Sequence, residues 1–312
     1  MAKVESQSFA KQRKSGWDMQ GVLEALRVSR EVTHNIRHGG HVRELPSLQA
    51  VLDIIEGLCA ALFPTHLGQG TMSRENTDLF VSNSLSTALT RLSEQLRRGL
   101  QFNLAEVASP DLLKNRAASI TSDFAREMPN TRALLVADLR AAYRADPSAN
   151  SIAEILLCYR GATAIIYHRI AHALYRLGDR LVARVISDLA HASTGIDIHP
   201  GARIGEGFFI AHGTGIVIGE TAVIGTNVQI SQGVTLGAMP QLPEKFVKRP
   251  LAKHRHPVIE DDVIIHAGAT ILGPVTVGRG STIGGNVWLT KSVPPGSVVT
   301  QAKMQAEPSP AP

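Results

Sequence analysis

The sequence predicts an α+β protein: an N-terminal all-helical domain followed by a parallel β-helix of hexapeptide repeats with one protruding loop. Three observations lead there. From Ile196 to Val299 aliphatic residues recur every six positions. The first ~190 residues show helical periodicity and no strand alternation. A single Pro- and Lys/Arg-rich stretch, 237–257, breaks the six-residue pattern.

The period comes in three series. Ile198, Ile204, Ile210 and Ile216 form the first; the register then slips by two, and Ile218, Ile224, Ile230 and Leu236 form the second. Beyond the break, Ile259, Ile265, Ile271, Val277, Ile283 and Leu289 form the third. Six matches neither the helix period of about 3.6 nor the strand period of about 2. It is the period of a β-solenoid, in which each hexad supplies one short strand and one corner. Three hexads make a triangular coil with the aliphatic side chains inside, and small residues such as Gly205, Gly219 and Gly225 suit the corners.

Taken in order, residues 1–20 read as a mobile arm and 21–192 as the helical domain. Helices are expected from Val22 to about Arg37, and from Pro46-Ser47 to Pro64. The next is expected after a Thr77 cap, with others over Asp111–Glu127, Thr131–Arg144, Ile152–Leu177 and Asp179–His191. The β-helix is placed at 193–299, with loop 237–257 leaving one corner. Residues 300–312 are polar, Pro-rich and read as a flexible tail.

Composition narrows the function classes. No apolar run approaches the roughly 20 residues of a membrane span, and Met1–Trp17 is basic without the apolar stretch of a signal peptide. Cys59 and Cys158 are too few for a disulfide framework, which fits a cytoplasmic location. A net charge of +5 suits a polyanionic small molecule, and no nucleic-acid motif accompanies it.

The chemistry is expected where polar residues interrupt the hexads. His212 lies in Ala211-His212-Gly213-Thr214-Gly215, and Asp197 lies fifteen residues earlier. With coils of about 18 residues, Asp197 is expected on the adjacent coil, near enough to orient the imidazole. A histidine paired with a carboxylate is a general-base arrangement; the bland alternative is a structural histidine at a corner.

The block GIDIHPGARIGEGFFIAHGTGIVIGETAVIG resembles the serine O-acetyltransferase signature. The likeness continues through VQISQGVTLG, Arg255-His256-Pro257 and IHAGATILG, covering roughly Ala137–Val299. It implies a left-handed β-helix behind a helical domain, here in an extended N-terminal version. It also implies transfer of acetyl from acetyl-CoA to the L-serine hydroxyl, giving O-acetylserine for cysteine biosynthesis. His212 would be the base and Asp197 its orienting carboxylate. Asp146 would bind the serine substrate, and Arg255 and His256 would grip its carboxylate. Acetyl-CoA would run along a groove near Gly237, Ala267, Gly268 and Gly285. No metal is implied. The site would lie between subunits of a homotrimer or a dimer of trimers.

Three features depart from the family pattern. Ala211 stands where an Asp usually precedes the base, loop 237–257 is longer, and the C-terminal sequence does not end in isoleucine. A complex with cysteine synthase through the tail is therefore not expected. Other readings are a hexapeptide acyltransferase with another acceptor, a scaffold that has lost turnover, and a zinc carbonic anhydrase using His212, His256 and His266.

Overall fold

The computed structural model describes residues 17–29, 44–68, 73–103, 109–239 and 254–302. Most of the arm, most of the tail and most of the loop expected from the sequence lie outside them, and the end of the expected arm, Met19-Gln20, is helical. The chain divides into two compact units, residues 1–44 and 45–312.

In the first unit, helix α1 (Met19–Val28) opens on Asp18, whose carboxylate accepts the Gly21 N–H. It starts before the expected Val22. The rest of the expected helix, from residue 30 on, lies outside the described residues.

The second unit begins with helices. Ser47 caps α2 (Leu48–Leu62), which buries Val51, Ile54, Ile55, Leu58 and Leu62. A short α3 (Pro64–Leu67) follows. Helix α4 (Arg74–Asn103) starts earlier than expected: the Ser73 hydroxyl accepts the Asn76 N–H, and Thr77 sits inside the first turn.

Helix α5 (Pro110–Ala145) is one helix where the sequence suggested two. Pro129 lies inside it and removes a backbone donor. The buried stripe Phe124, Met128, Thr131 and Leu135 continues across that point, and its packing outweighs the local cost.

The opposite correction applies further on. The single helix expected over Ile152–Leu177 is two, α6 (Ile152–Cys158) and α7 (Arg160–Arg176), separated by Tyr159 in an extended conformation. Helix α8 (Arg180–Thr194) is capped by Asp179 and ends at Gly195 in the left-handed region.

From Asp197 the chain winds into a three-sided parallel β-solenoid. The first side stacks β1 (Asp197–Ile198), β4 (Val217–Ile218), β7 (Thr235–Gly237), β10 (Thr270–Leu272) and β13 (Trp288–Leu289). The second stacks β2 (Arg203–Ile204), β5 (Val223–Ile224), β8 (Val258–Ile259) and β11 (Thr276–Val277). The third stacks β3 (Phe209–Ala211), β6 (Gln229–Ser231), β9 (Ile264–Ile265), β12 (Thr282–Ile283) and β14 (Val298–Val299). Ile198, Ile218, Leu236, Ile271 and Leu289 fall in register up the first side and are all buried.

The two-residue slip seen in the sequence has a place here. Ile210 to Ile218 spans eight positions instead of six. The two extra residues enlarge the corner between β3 and β4, where Ile216 adds one more buried aliphatic. That corner carries His212.

Helices and solenoid share a buried ion pair. Arg169 of α7 bonds both carboxylate oxygens of Asp138 on α5, and also the carbonyls of Ile204 (2.7 Å) and Gly205 (2.6 Å) in the first turn. Phe208 N–H closes the network on Asp138 at 2.9 Å.

Candidate active site

His212 has φ 60°, in the left-handed region, and is followed by Gly213 (φ 99°) and Gly215 (φ 78°). Such a conformation in a non-glycine residue is uncommon and often marks a functional position. Gly213 is also sterically required: a β-carbon there would stand 2.4 Å from Ile196 Cδ1. The enlarged corner thus lifts an exposed imidazole off the third side.

The end of α5 and the α6–α7 junction face it. Gly161 brings α7 onto β3, since a β-carbon at that position would lie 2.5 Å from the Ile210 carbonyl oxygen. Between them is a pocket of about 340 Å³ lined by Asp146, Ser148, Tyr159, Arg160, Ala211 and His212, among others.

Asp146 is the residue at which α5 ends, just before Pro147. Its Oδ1 accepts from Ser148 N–H (2.9 Å) and Oγ–H (2.6 Å), and its Oδ2 accepts from the Tyr159 hydroxyl at 2.7 Å. The Ser148 hydroxyl first, then Tyr159, hold Asp146 below its ordinary carboxylate value, and the field of His212 adds to this. A fixed anion therefore stands across the pocket from His212, and it is the only carboxylate among the lining residues.

Asp197 is not on the adjacent coil. It opens the same turn that His212 closes, since fifteen residues fall short of one full turn and the next turn begins with Val217 stacked on Asp197. The corner after His212 stacks on the segment leading into Asp197, through Gly215 N–H to Gly195 O and Asp197 N–H to Ile216 O. Among the described residues no hydrogen bond joins the two side chains.

Arg255 and His256 occupy a different corner, between the first and second sides, against Gly219, Glu220 and Thr221. Within one chain they do not line the His212 pocket.

The four glycine and alanine positions also divide. Ala267, Gly268 and Gly285 continue the His212 corner up the solenoid: Gly233 N–H bonds Thr214 O, Gly268 N–H bonds Gln232 O, and Asn286 N–H bonds Ala267 O. Gly237 instead sits at the far end of the first side, beside Gly273. Among the described residues no cluster of three metal-binding side chains occurs.

Sequence reasoning missed Ser148, Tyr159 and Arg160 as pocket residues. Treating Ile152–Leu177 as continuous helix hid the junction. Gly161 is the one local signal that two elements approach closely there.

Residues 71–166 match the family model "Serine acetyltransferase, N-terminal", and residues 256–291 match "Bacterial transferase hexapeptide (six repeats)". The chain is 47% identical over 298 residues to the plasmid serine acetyltransferase of Synechococcus elongatus, covering 93% of each. Serine acetyltransferase 1 of Entamoeba histolytica, solved in complex with L-cysteine, superposes with a TM-score of 0.70. It is 31% identical and covers 91% of this chain and 100% of its own. The Neisseria gonorrhoeae serine acetyltransferase solved with serine gives 0.52 at 30% identity, covering 85% of this chain and 98% of its own.

Proposed function

This chain belongs to the serine acetyltransferase family, and from that premise we propose that His212 is the general base of acetyl transfer from acetyl-CoA to serine. His212 takes the hydroxyl proton as the serine oxygen attacks the thioester carbonyl. The C–S bond then breaks, leaving O-acetylserine and the free thiol of CoA. Asp197 is the carboxylate partner of the imidazolium; hydrogen bonds of this kind often tighten only when the site is loaded. Asp146 holds the substrate ammonium.

One observation supports this reading above the others. Asp146 and His212 face each other across one pocket, whereas Arg255 and His256 stand at another corner of the same prism. A complete site therefore takes the Arg255-His256 corner from a neighbouring copy. The enzyme is a homotrimer or a dimer of trimers on this reading. Residues 193–299 form the acetyltransferase domain and 21–192 the helical one. Ala267, Gly268 and Gly285 on the His212 corner offer small side chains and backbone amides to the pantetheine arm of acetyl-CoA. No metal takes part.

The enzyme works in the cytoplasm, a location consistent with two unpaired cysteines, Cys59 and Cys158. No described helix is long and apolar enough to cross a membrane.

Ala211 favours one second reading, an acceptor other than serine, because it leaves the pocket with a single carboxylate. A thiol-release assay with acetyl-CoA and a panel of hydroxylated amino acids separates the two. The expected result is the highest kcat/KM for L-serine. A higher value for another acceptor would replace serine as the substrate.

A further inference from the structure

Gly219, Glu220 and Thr221, three consecutive residues of the second turn, form a seat for Arg255 and His256. The His256 ring lies over the Gly219 α-carbon: a β-carbon there would stand 2.0 Å from both Nε2 and Cδ2. Only glycine leaves that space. One Glu220 oxygen accepts from Arg255 Nη2 and the other from the Tyr175 hydroxyl of α7, at 2.7 Å for the latter. The Tyr175 hydroxyl first, then Arg255, hold Glu220 down at about 2, so it is an anion.

Thr221 has the most specific part. Its Oγ1 accepts two backbone N–H groups, Arg255 at 3.0 Å and His256 at 3.2 Å. Both acceptor directions are then used, and the hydroxyl proton is left to donate. The side-chain partner of Oγ1 is His256 Nδ1, at 2.8 Å. Thr221 N–H donates to the same Nδ1 at 3.1 Å. A ring nitrogen that accepts from two donors carries no proton, so the proton of the neutral ring is on Nε2. Burial, then the adjacent Arg255, keep His256 below its ordinary value, against the pull of Glu220. No hydrogen bond reaches Nε2 among the described residues.

We infer that Thr221 is a positioning residue that fixes His256 as the Nε2–H tautomer, so that His256 meets the acceptor substrate as a neutral hydrogen-bond donor. This rests on the proposed site, in which His256 faces the carboxylate of the amino acid held by a neighbouring copy. Nε2–H donates to a carboxylate oxygen. The opposite tautomer would turn a lone pair toward it and repel it. Arg255 brings the charge, and the Thr221 lock keeps the second contact attractive at neutral pH without needing a second cation.

The test uses Thr221→Val, which keeps the shape and the backbone N–H but removes the hydroxyl, beside Thr221→Ser, which retains it. Thr221→Val is expected to raise KM for serine by roughly tenfold, the loss of one charge-assisted hydrogen bond. KM for acetyl-CoA stays unchanged, the melting temperature falls modestly because the Arg255 and His256 N–H groups lose their shared acceptor, and Thr221→Ser behaves like the parent. Glutamine carries a fixed N–H donor near the position of Nε2, so in a His256→Gln background Thr221→Val should change KM less than twofold. In ¹⁵N-histidine-labelled enzyme the His256 signals should show Nδ1 unprotonated and Nε2 protonated, whatever the activity.

A Thr221→Val enzyme with parental serine KM would overturn the inference, as would a protonated Nδ1. So would a parallel rise in both KM values, which marks a merely structural role. His256→Ala serves as the control for the underlying site. If it leaves serine KM untouched, the proposed site itself is wrong, while the ¹⁵N spectrum still decides the tautomer.

Discussion

Arg169 and Asp138 meet through two parallel hydrogen bonds of 2.9 and 3.0 Å, both side chains almost wholly buried where α5, α7 and the first solenoid turn converge. Removing one member leaves the other charge buried and unpaired, which typically costs about 3–5 kcal/mol. Asp138→Ala should therefore lose stability of that order in urea titration. Because Asp146 lies at the end of the same helix, activity should fall with it. A loss under about 1 kcal/mol would mean that the first turn holds its place without the pair.

His212→Asn is the cleanest probe of the base, because asparagine tolerates the left-handed backbone that His212 adopts. Turnover should fall by about 10²–10⁴-fold, with the melting temperature and acetyl-CoA binding kept. Near-parental turnover would remove His212 from the mechanism. Asp197→Asn should cost less, and chiefly in kcat.

Ala211 lies on β3 beside His212 and leaves Asp146 as the pocket's only lining carboxylate. Ala211→Asp adds a second anion for the substrate ammonium. It should lower KM for serine by roughly tenfold, the scale of one charge-assisted hydrogen bond, with little change in KM for acetyl-CoA. An unchanged or raised serine KM would move the alternative-acceptor reading ahead.

Asp179 caps α8 through Oδ1, while its Oδ2 is buried beside Gly99 without a hydrogen-bond partner among the described residues. Burial pushes its pKa up to about 6 from 3.8. In the unfolded chain the group ionises near the lower value, so the folded state binds the proton more tightly. The stabilisation from that proton is complete below 3.8 and is lost as pH rises through about 6. A shift of about two units corresponds to about 3 kcal/mol. Asp179→Asn keeps the cap and does not titrate. Its melting temperature should match the parent below about pH 4, exceed it by a growing margin between about pH 4 and 6, and keep a constant excess above that. A gap that does not grow with pH would show that the buried carboxylate is not what limits stability there.

The sequence by itself determined the solenoid, because a six-residue period is local and every inward aliphatic reports it. It also located the His212 corner, since a two-residue slip between Ile216 and Ile218 has to be absorbed at one bend. Tertiary structure decided which corners meet. The Tyr159 break between α6 and α7 arises because α7 packs onto β3 at Gly161, a contact with residues far away in the chain. The Thr221–His256 lock joins positions 35 apart across the chain that leaves at the third turn. Periodicity tells which side of the wall a residue faces. It carries no information on which turn stacks above which, or on where a departing segment comes back. Those follow from burial and hydrogen bonding summed over the whole chain. For that reason the His212 corner was legible in the sequence, while the groups that hold its neighbours in place were not.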